Sequence, residues 1–178
     1  MKNRHYIFAL VPVLLLFIAG LYSCKHVRYN MSGEGGRKLD DSVTVTVVTF
    51  RNNAPLAKPT LAQTMTESLK DFIQRQTRFN LVNEGGDLTY EGEITGYSIA
   101  PVAISAGSTD QAALNRLTIS AKVKYTDEIE DRYSFESNFS RFADFPSSQD
   151  VSAVEDQLIK EITDQITQDI VNKSIYAW

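Results

Sequence analysis

Histidine and cysteine are almost missing from this 178-residue chain: two of the first and one of the second. The histidines, His5 and His26, both sit near the amino terminus. The long remainder therefore cannot assemble a Ser-His-Asp or Cys-His nucleophilic set. It also lacks the ligands of an ordinary zinc site. Because Cys24 is the sole cysteine, no disulfide can form within one chain. There is no Walker loop: Gly33-Glu34-Gly35-Gly36 is followed by Arg37 and preceded by no strand pattern. No cofactor is expected. Nor is there an excess of base, since 18 Lys and Arg face 22 Asp and Glu for a net charge of −4. That balance argues against nucleic acid as a partner. No apolar run reaches the roughly 20 residues that a spanning helix needs.

What is present begins at the amino terminus. Lys2 and Arg4 precede an almost wholly apolar stretch from Tyr6 to Gly20, and Leu21-Tyr22-Ser23-Cys24 follows. A basic segment, an apolar segment and a small residue before a cut describe a secretory signal over residues 1–23. The last four residues resemble a lipobox, with Leu21 three before the cysteine and Ser23 just before it. Tyr22 departs from the small residue usual at its site. The resemblance implies cleavage before Cys24, a diacyl group on its sulfur and a third chain on its amine. Each buried methylene contributes about 0.8 kcal/mol to such an anchor. Lipidation also removes the free thiol that an oxidising compartment would attack.

The mature chain then runs from Cys24 to Trp178. All 22 acids and 16 of the 18 bases lie in it, so its side chains carry a net −6. Residues 24–41 read as a flexible tether around Ser32-Gly33-Glu34-Gly35-Gly36, with little to bury. Residues 42–178 suit one domain with a real core.

Val43 to Phe50 is β-branched and largely alternating, which predicts a strand. Asn52 to Pro55 and Pro59 break it. Thr60 to Thr77 predicts a helix, with Leu61, Met65, Leu69, Phe72 and Ile73 on one stripe and a capping box of Thr60 with Gln63. Phe79 to Val82 is a short strand ended by Glu84-Gly85-Gly86-Asp87. Leu88 to Ala103 is a strand in which Gly92, Gly96 and Pro101 predict a bend or bulge. Leu114 to Thr126 alternates Leu117, Ile119, Ala121, Val123 and Tyr125 against Arg116, Thr118, Ser120, Lys122 and Lys124. A turn through Asp127 to Asp131 leads into a strand from Tyr133 to Phe142, and a polar loop spans Ser105 to Ala113. Asp150 to Ser174 predicts a second helix, capped by Asp150 or by a box of Ser152 with Glu155.

The order is β-α-β-β-β-β-α. Two amphipathic helices and strands with one apolar face predict an α+β two-layer sandwich. Both helices cover one face of a mostly antiparallel sheet of four to five strands. The other face is polar.

Two clusters stand out as candidate sites. Arg116, Lys122 and Lys124 share one strand face and could engage anionic groups such as glycolipid phosphates. The bland alternative is a solvated face of cross-strand ion pairs with Glu91, Glu93 and Glu136. Those carboxylates could also act as an acid-base pair on envelope polymers. The second cluster, around Arg141, Phe142 and Phe145, is either the edge of the core or a partner-binding patch rich in aromatics and Arg.

Taken together, several stretches resemble the LptE family of lipopolysaccharide-assembly lipoproteins, in the form found in Bacteroidetes-type bacteria. They are the lipobox at Cys24, Phe50 to Leu56, Pro59 to Leu61, Glu91 to Tyr97, Ala113 to Ile119, Arg141 to Phe145 and the closing helix. The resemblance implies a non-enzymatic protein with two helices on a four-stranded sheet. It implies a heterodimer with the large outer-membrane barrel LptD, which the small protein plugs. It implies assistance to lipopolysaccharide delivery and, in some relatives, direct lipopolysaccharide binding. Lys25 follows Cys24 and no acidic run comes next, and by the sorting rules that the lipoprotein resemblance brings with it, this implies anchoring in the outer membrane on its periplasmic side. A free-standing periplasmic binding module, or a pilot for another secretion channel, would share the lipobox, tether and small domain.

Overall fold

The structure is a computed structural model that describes residues 39–102 and 113–176. The signal segment, Cys24, the tether up to Lys38, residues 103–112 and Trp178 lie outside the described residues.

β1 spans Thr44–Val47. Its alternation sends Val43, Val45 and Val47 into the core. Simple alternation would put Thr49 inside next. Instead the strand is interrupted and resumes as β2, Arg51–Asn52. Val47 aligns with Tyr90 and Arg51 with Glu93, so four steps on one side match three on the other. The extra residue is a bulge. It shifts the phase by one, and Phe50 turns inward at 3% exposure. The single strand expected here is therefore two.

α1 spans Leu61–Gln76 and buries Leu61, Met65, Leu69 and Ile73 along the expected stripe. The expected capping box is not formed. Thr60 already has helical backbone angles and its side chain caps nothing. Gln63 donates to Glu67 Oε1 instead, at 2.8 Å.

β3, Asn80–Val82, returns parallel to β1. The turn that follows needs both its glycines. Gly85 sits at φ +69°, in the left-handed region that side chains avoid. Gly86 lies so close to β1 that a Cβ would fall 2.7 Å from the Thr46 amide nitrogen. Asp87 then clamps the turn to β1: its Oδ2 accepts from Thr44 N–H at 2.8 Å and Thr44 Oγ1 at 2.7 Å. In return the Asp87 N–H donates to Thr44 Oγ1 at 3.0 Å. The Thr44 hydroxyl and amide hold the Asp87 carboxyl below its ordinary range.

A carboxyl lowered in the folded state adds stability above its unfolded value, near 4, and loses it as pH falls through the lowered value. We therefore expect the melting temperature to fall on the acid side, below about pH 4, with Asp87 contributing to the slope. Asp87→Asn should melt lower at pH 7 and show a shallower acid limb. Equal slopes for the two proteins would remove Asp87 from this account.

β4 spans Leu88–Pro101, β5 spans Leu114–Asp127 and β6 spans Phe135–Pro146. They form an antiparallel meander. The anticipated bulge in β4 falls between Ile94 and Gly96. A short 3-10 turn, Asp131–Tyr133, occupies the start expected for the last strand, which begins at Phe135 and runs on to Pro146. The sheet order is β3-β1-β4-β5-β6, with β2 beside β4. Among the described residues the sheet has six strands rather than four or five, and it is mixed, with most pairing antiparallel.

α2 spans Val151–Ile175, and Asp150 caps it by accepting from the Ser152 N–H at 3.0 Å. Glu155 does not complete a capping box; it accepts from the Tyr97 hydroxyl at 2.5 Å and lies 3.1 Å from Lys58 Nζ. Burial, reinforced by Glu155, pushes the Tyr97 hydroxyl far above its ordinary value. Both helices cover one sheet face. Between them and the sheet, Ile162, Ile166 and Ile170 meet Tyr90, Ile119, Val123 and Tyr125, all fully buried. Tyr125 stacks between Tyr90 and Phe135 at centroid distances of 4.9 and 5.3 Å. The Tyr90 hydroxyl is satisfied by Ser174 Oγ at 2.7 Å, which keeps a polar atom tolerable in the core. The α+β two-layer sandwich is the observed fold.

Candidate interaction face of the sheet

The face turned away from the helices is built by strand alternation. It receives Glu91 and Glu93 from β4, and Arg116, Ser120, Lys122 and Lys124 from β5. From β6 it takes Glu136, Asn138, Ser140, Phe142 and Asp144. Register brings opposite charges together. Glu91 aligns with Lys124, Glu93 with Lys122, Lys124 with Glu136, and Arg116 with Asp144.

Lys122 Nζ lies 2.5 Å from Glu136 Oε1. Lys124 Nζ is 3.8 Å from Glu91, and Arg51 is 3.8 Å from Glu93. Asn53 also donates to Glu93 at 2.8 Å. Arg51, Glu91, Glu93, Lys122, Lys124 and Glu136 line a shallow hollow of about 120 Å³ around Gly92. Farther along, Arg116 makes a two-pronged contact with Asp144, at 2.7 and 2.8 Å, and lies 3.6 Å over the ring of Phe142. Four cations thus answer four carboxylates.

The chemistry follows from the pairing. Lys122 holds the Glu136 carboxyl below its ordinary range, and Glu136 raises Lys122 in return. Glu136 is therefore ionised at neutral pH and is no proton donor there. Asp144 is lowered by Arg116 in the same way. Exposed pairs of this kind fix side-chain geometry more than they stabilise the fold. Among the described residues, no group of three or more His, Cys, Asp or Glu is placed to hold a metal.

The candidate residues do not all converge. Lys122 and Lys124 both line the hollow. Arg116 is six residues away on the same strand, about 20 Å at 3.4 Å per residue. The Arg141 group is split by alternation. Arg141 points to the helix side and binds Asp169 at 2.6 and 2.8 Å. Phe145 is in the core at 3% exposure, while Phe142 stands on the open face at 47%. Two members of the face were not placed there from the sequence. Asp144 reads in the sequence as part of the Phe139–Phe145 cluster at a strand end, and continuing the strand alternation past Phe142 would have set it on this face. Arg51 carries no local signal, because the β1 bulge decides which way it faces.

A family model described as "LptE: Lipopolysaccharide-assembly" matches residues 42–174. No curated protein is close enough in sequence to match. A solved structure of a putative neuraminyllactose-binding hemagglutinin homolog from Helicobacter pylori is 8% identical, with a TM-score of 0.51, over 79% of this chain and 89% of that one. The minor lipoprotein from Acinetobacter baumannii is 11% identical, with a TM-score of 0.47, over 74% and 91%. Rare lipoprotein B from Shewanella oneidensis is 12% identical, with a TM-score of 0.46, over 72% and 91%. The first of these three shares the fold.

Proposed function

The chain belongs to the LptE lipopolysaccharide-assembly family, and from that premise we propose that it is a non-catalytic plug for an LptD-type outer-membrane barrel. In this reading Cys24 carries the lipid, the chain is anchored on the periplasmic side of the outer membrane, and residues 24–41 are the leash. No described helix is long and apolar enough to cross a membrane; in this reading the lipid at Cys24 supplies the attachment.

The observation that carries the reading is the open sheet face. A plug must sit in a polar, wet lumen, so it needs a rigid body with polar and charge-balanced outer surfaces. One side of this sandwich buries a continuous apolar core. The other side presents four matched ion pairs separated by Ser120, Ser140 and Asn138. Such a face is satisfied in contact with polar groups and water, and loses little when a lumen wall approaches.

Direct lipopolysaccharide binding through Arg116, Lys122 and Lys124 remains part of the proposal. The geometry ranks the three. Arg116 is committed to Asp144 and Lys122 to Glu136 at short range, whereas Lys124 is 57% exposed and 3.8 Å from its carboxylate. A phosphate would engage Lys124 first.

The test is gentle detergent extraction of the native protein through a carboxy-terminal tag. A barrel of LptD size should come with it in a one-to-one ratio. Recovery of the chain with no barrel, under conditions that keep other outer-membrane complexes intact, would overturn the plug reading.

A further inference from the structure

The hollow on the open sheet face holds three cations, Arg51, Lys122 and Lys124, and three carboxylates, Glu91, Glu93 and Glu136. These six charges are not equally committed. Register sets Lys124 between Glu91 on β4 and Glu136 on β6. The Glu136 carboxylate nevertheless reaches diagonally to Lys122, at 2.5 Å. Glu93 accepts from Asn53 at 2.8 Å, and its side chain is only 26% exposed. That leaves Lys124 and Glu91 facing each other at 3.8 Å, both more than half exposed. A charge-assisted hydrogen bond closes to about 2.7–2.9 Å, so this pair makes none. The hollow therefore presents one loosely held donor and one loosely held acceptor, side by side on neighbouring strands.

The balance of charge decides what such a place accepts. A bare phosphate drawn to Lys124 has Glu91 and Glu136 on either side in register, and both carboxylates repel it. A bare ammonium drawn to Glu91 is opposed in the same way by the three cations. A ligand that carries both charges leaves every side chain matched. It also adds no net charge to a hollow that is already neutral, so covering the face strands no excess of either sign.

We propose that this hollow binds an aminoethyl phosphate headgroup, with the phosphate on Lys124 and the ammonium on Glu91. The two charges of that group are two carbons apart, a span comparable with the spacing of neighbouring strands, about 4.8 Å. The ammonium brings three donors, and Glu91 has the lone pairs to accept them. Lys122 and Glu136, already joined, form the fixed wall behind the phosphate. The inference rests on the reading of Lys124 as the first phosphate contact and sharpens it; it does not depend on the barrel. Two kinds of lipid carry this chemistry: phosphatidylethanolamine, and a glycolipid whose phosphate bears an aminoethyl group.

The experiment uses the full chain in a non-ionic detergent, with its labelled amides followed by NMR. Glycerophosphoethanolamine should shift the amides of Glu91, Gly92 and Lys124. It should bind at least about tenfold more tightly than glycerophosphoglycerol, a diester of similar size without the amine. Lys124→Ala should weaken both probes. Glu91→Gln should weaken glycerophosphoethanolamine about tenfold and leave glycerophosphoglycerol as tight or tighter, because a repelling carboxylate is gone. Both positions are exposed, and an unchanged melting temperature confirms the fold of each variant. Probes that bind alike, Glu91→Gln tightening both, or no shift at Glu91 would each overturn the proposal while leaving Lys124 as a phosphate contact. Lys124→Ala affecting neither probe would remove that contact and this inference together. Mass spectrometry of the lipid that the native chain retains then separates the sources. Phosphatidylethanolamine or an amine-bearing glycolipid supports the proposal, and retention only of lipids without an amine counts against it.

Discussion

Gly92→Val is expected to destabilise the domain by about 3 kcal/mol, the upper end of what overpacking usually costs. Gly92 lies on the helix side of β4, where alternation calls for a core side chain. The space is already filled. A Cβ built on Gly92 would sit 2.2, 2.5 and 2.6 Å from three carbons of the Phe50 ring. The ring cannot easily yield, since it is 3% exposed and its own N–H donates to Thr66 Oγ1 at 3.0 Å. Phe50 reaches this place only because the bulge between β1 and β2 shifts it inward. For a chain of this size the loss corresponds to a fall in melting temperature of about 10 °C. Phe50→Ala alone should also be costly, by about 3–5 kcal/mol, because it opens a cavity in the same place. In the double variant the valine fills part of that cavity. The pair should therefore be less destabilised than the two single losses added together, by more than about 1 kcal/mol. Strict additivity, or an unchanged melting temperature for Gly92→Val, would mean that Phe50 does not occupy the glycine's space.

The same pair of residues marks where the sequence stops being legible. The apolar stripes of both helices, the alternation of β5 and the two-layer plan can all be read locally, because each depends on spacing within one element. The bulge after Val47 depends on a count made on another strand, so nothing between Val43 and Phe50 reveals it. Gly92 announces an irregularity but not which ring will cover it. The partner-patch grouping of Arg141, Phe142 and Phe145 has a related cause. A strand end expected at Phe142 makes the next residues look like a loop in which neighbours cluster. The strand in fact runs to Pro146, and period-two alternation sends the three to different surroundings. The unformed capping boxes have two causes: Gln63 is taken by Glu67 one turn along its own helix, whereas at Ser152 tertiary contacts outcompete the local motif, since Glu155 is taken by Tyr97 and Lys58. The charged face was legible as residues and illegible as pairs, since Arg51 and Asp144 complete it from places that spacing alone does not connect.

Those completed pairs allow the strongest functional prediction. On the proposed plug reading, Lys122→Glu should reduce recovery of the barrel by roughly tenfold or more while lowering the melting temperature by only a few degrees. Lys122 stands between Glu136, at 2.5 Å, and Glu93, its partner across the strand. Replacing it with Glu puts four carboxylates, at positions 91, 93, 122 and 136, around one hollow. In the free protein water screens this repulsion, and exposed side chains can splay apart. Inside a lumen the wall removes that water and that freedom, so the same excess of charge becomes far more unfavourable. The asymmetry between a small effect on folding and a large effect on association is what a buried docking face requires. The exchange Lys122→Glu with Glu136→Lys restores neutrality with the two charges traded across neighbouring strands, and should recover most of the barrel. If lipid phosphates were instead the main ligand of this face, Lys124→Ala would weaken lipopolysaccharide retention while leaving barrel recovery unchanged. Barrel recovery untouched by Lys122→Glu would place the open face away from the lumen wall, and the plug would then have to contact its barrel through the helices.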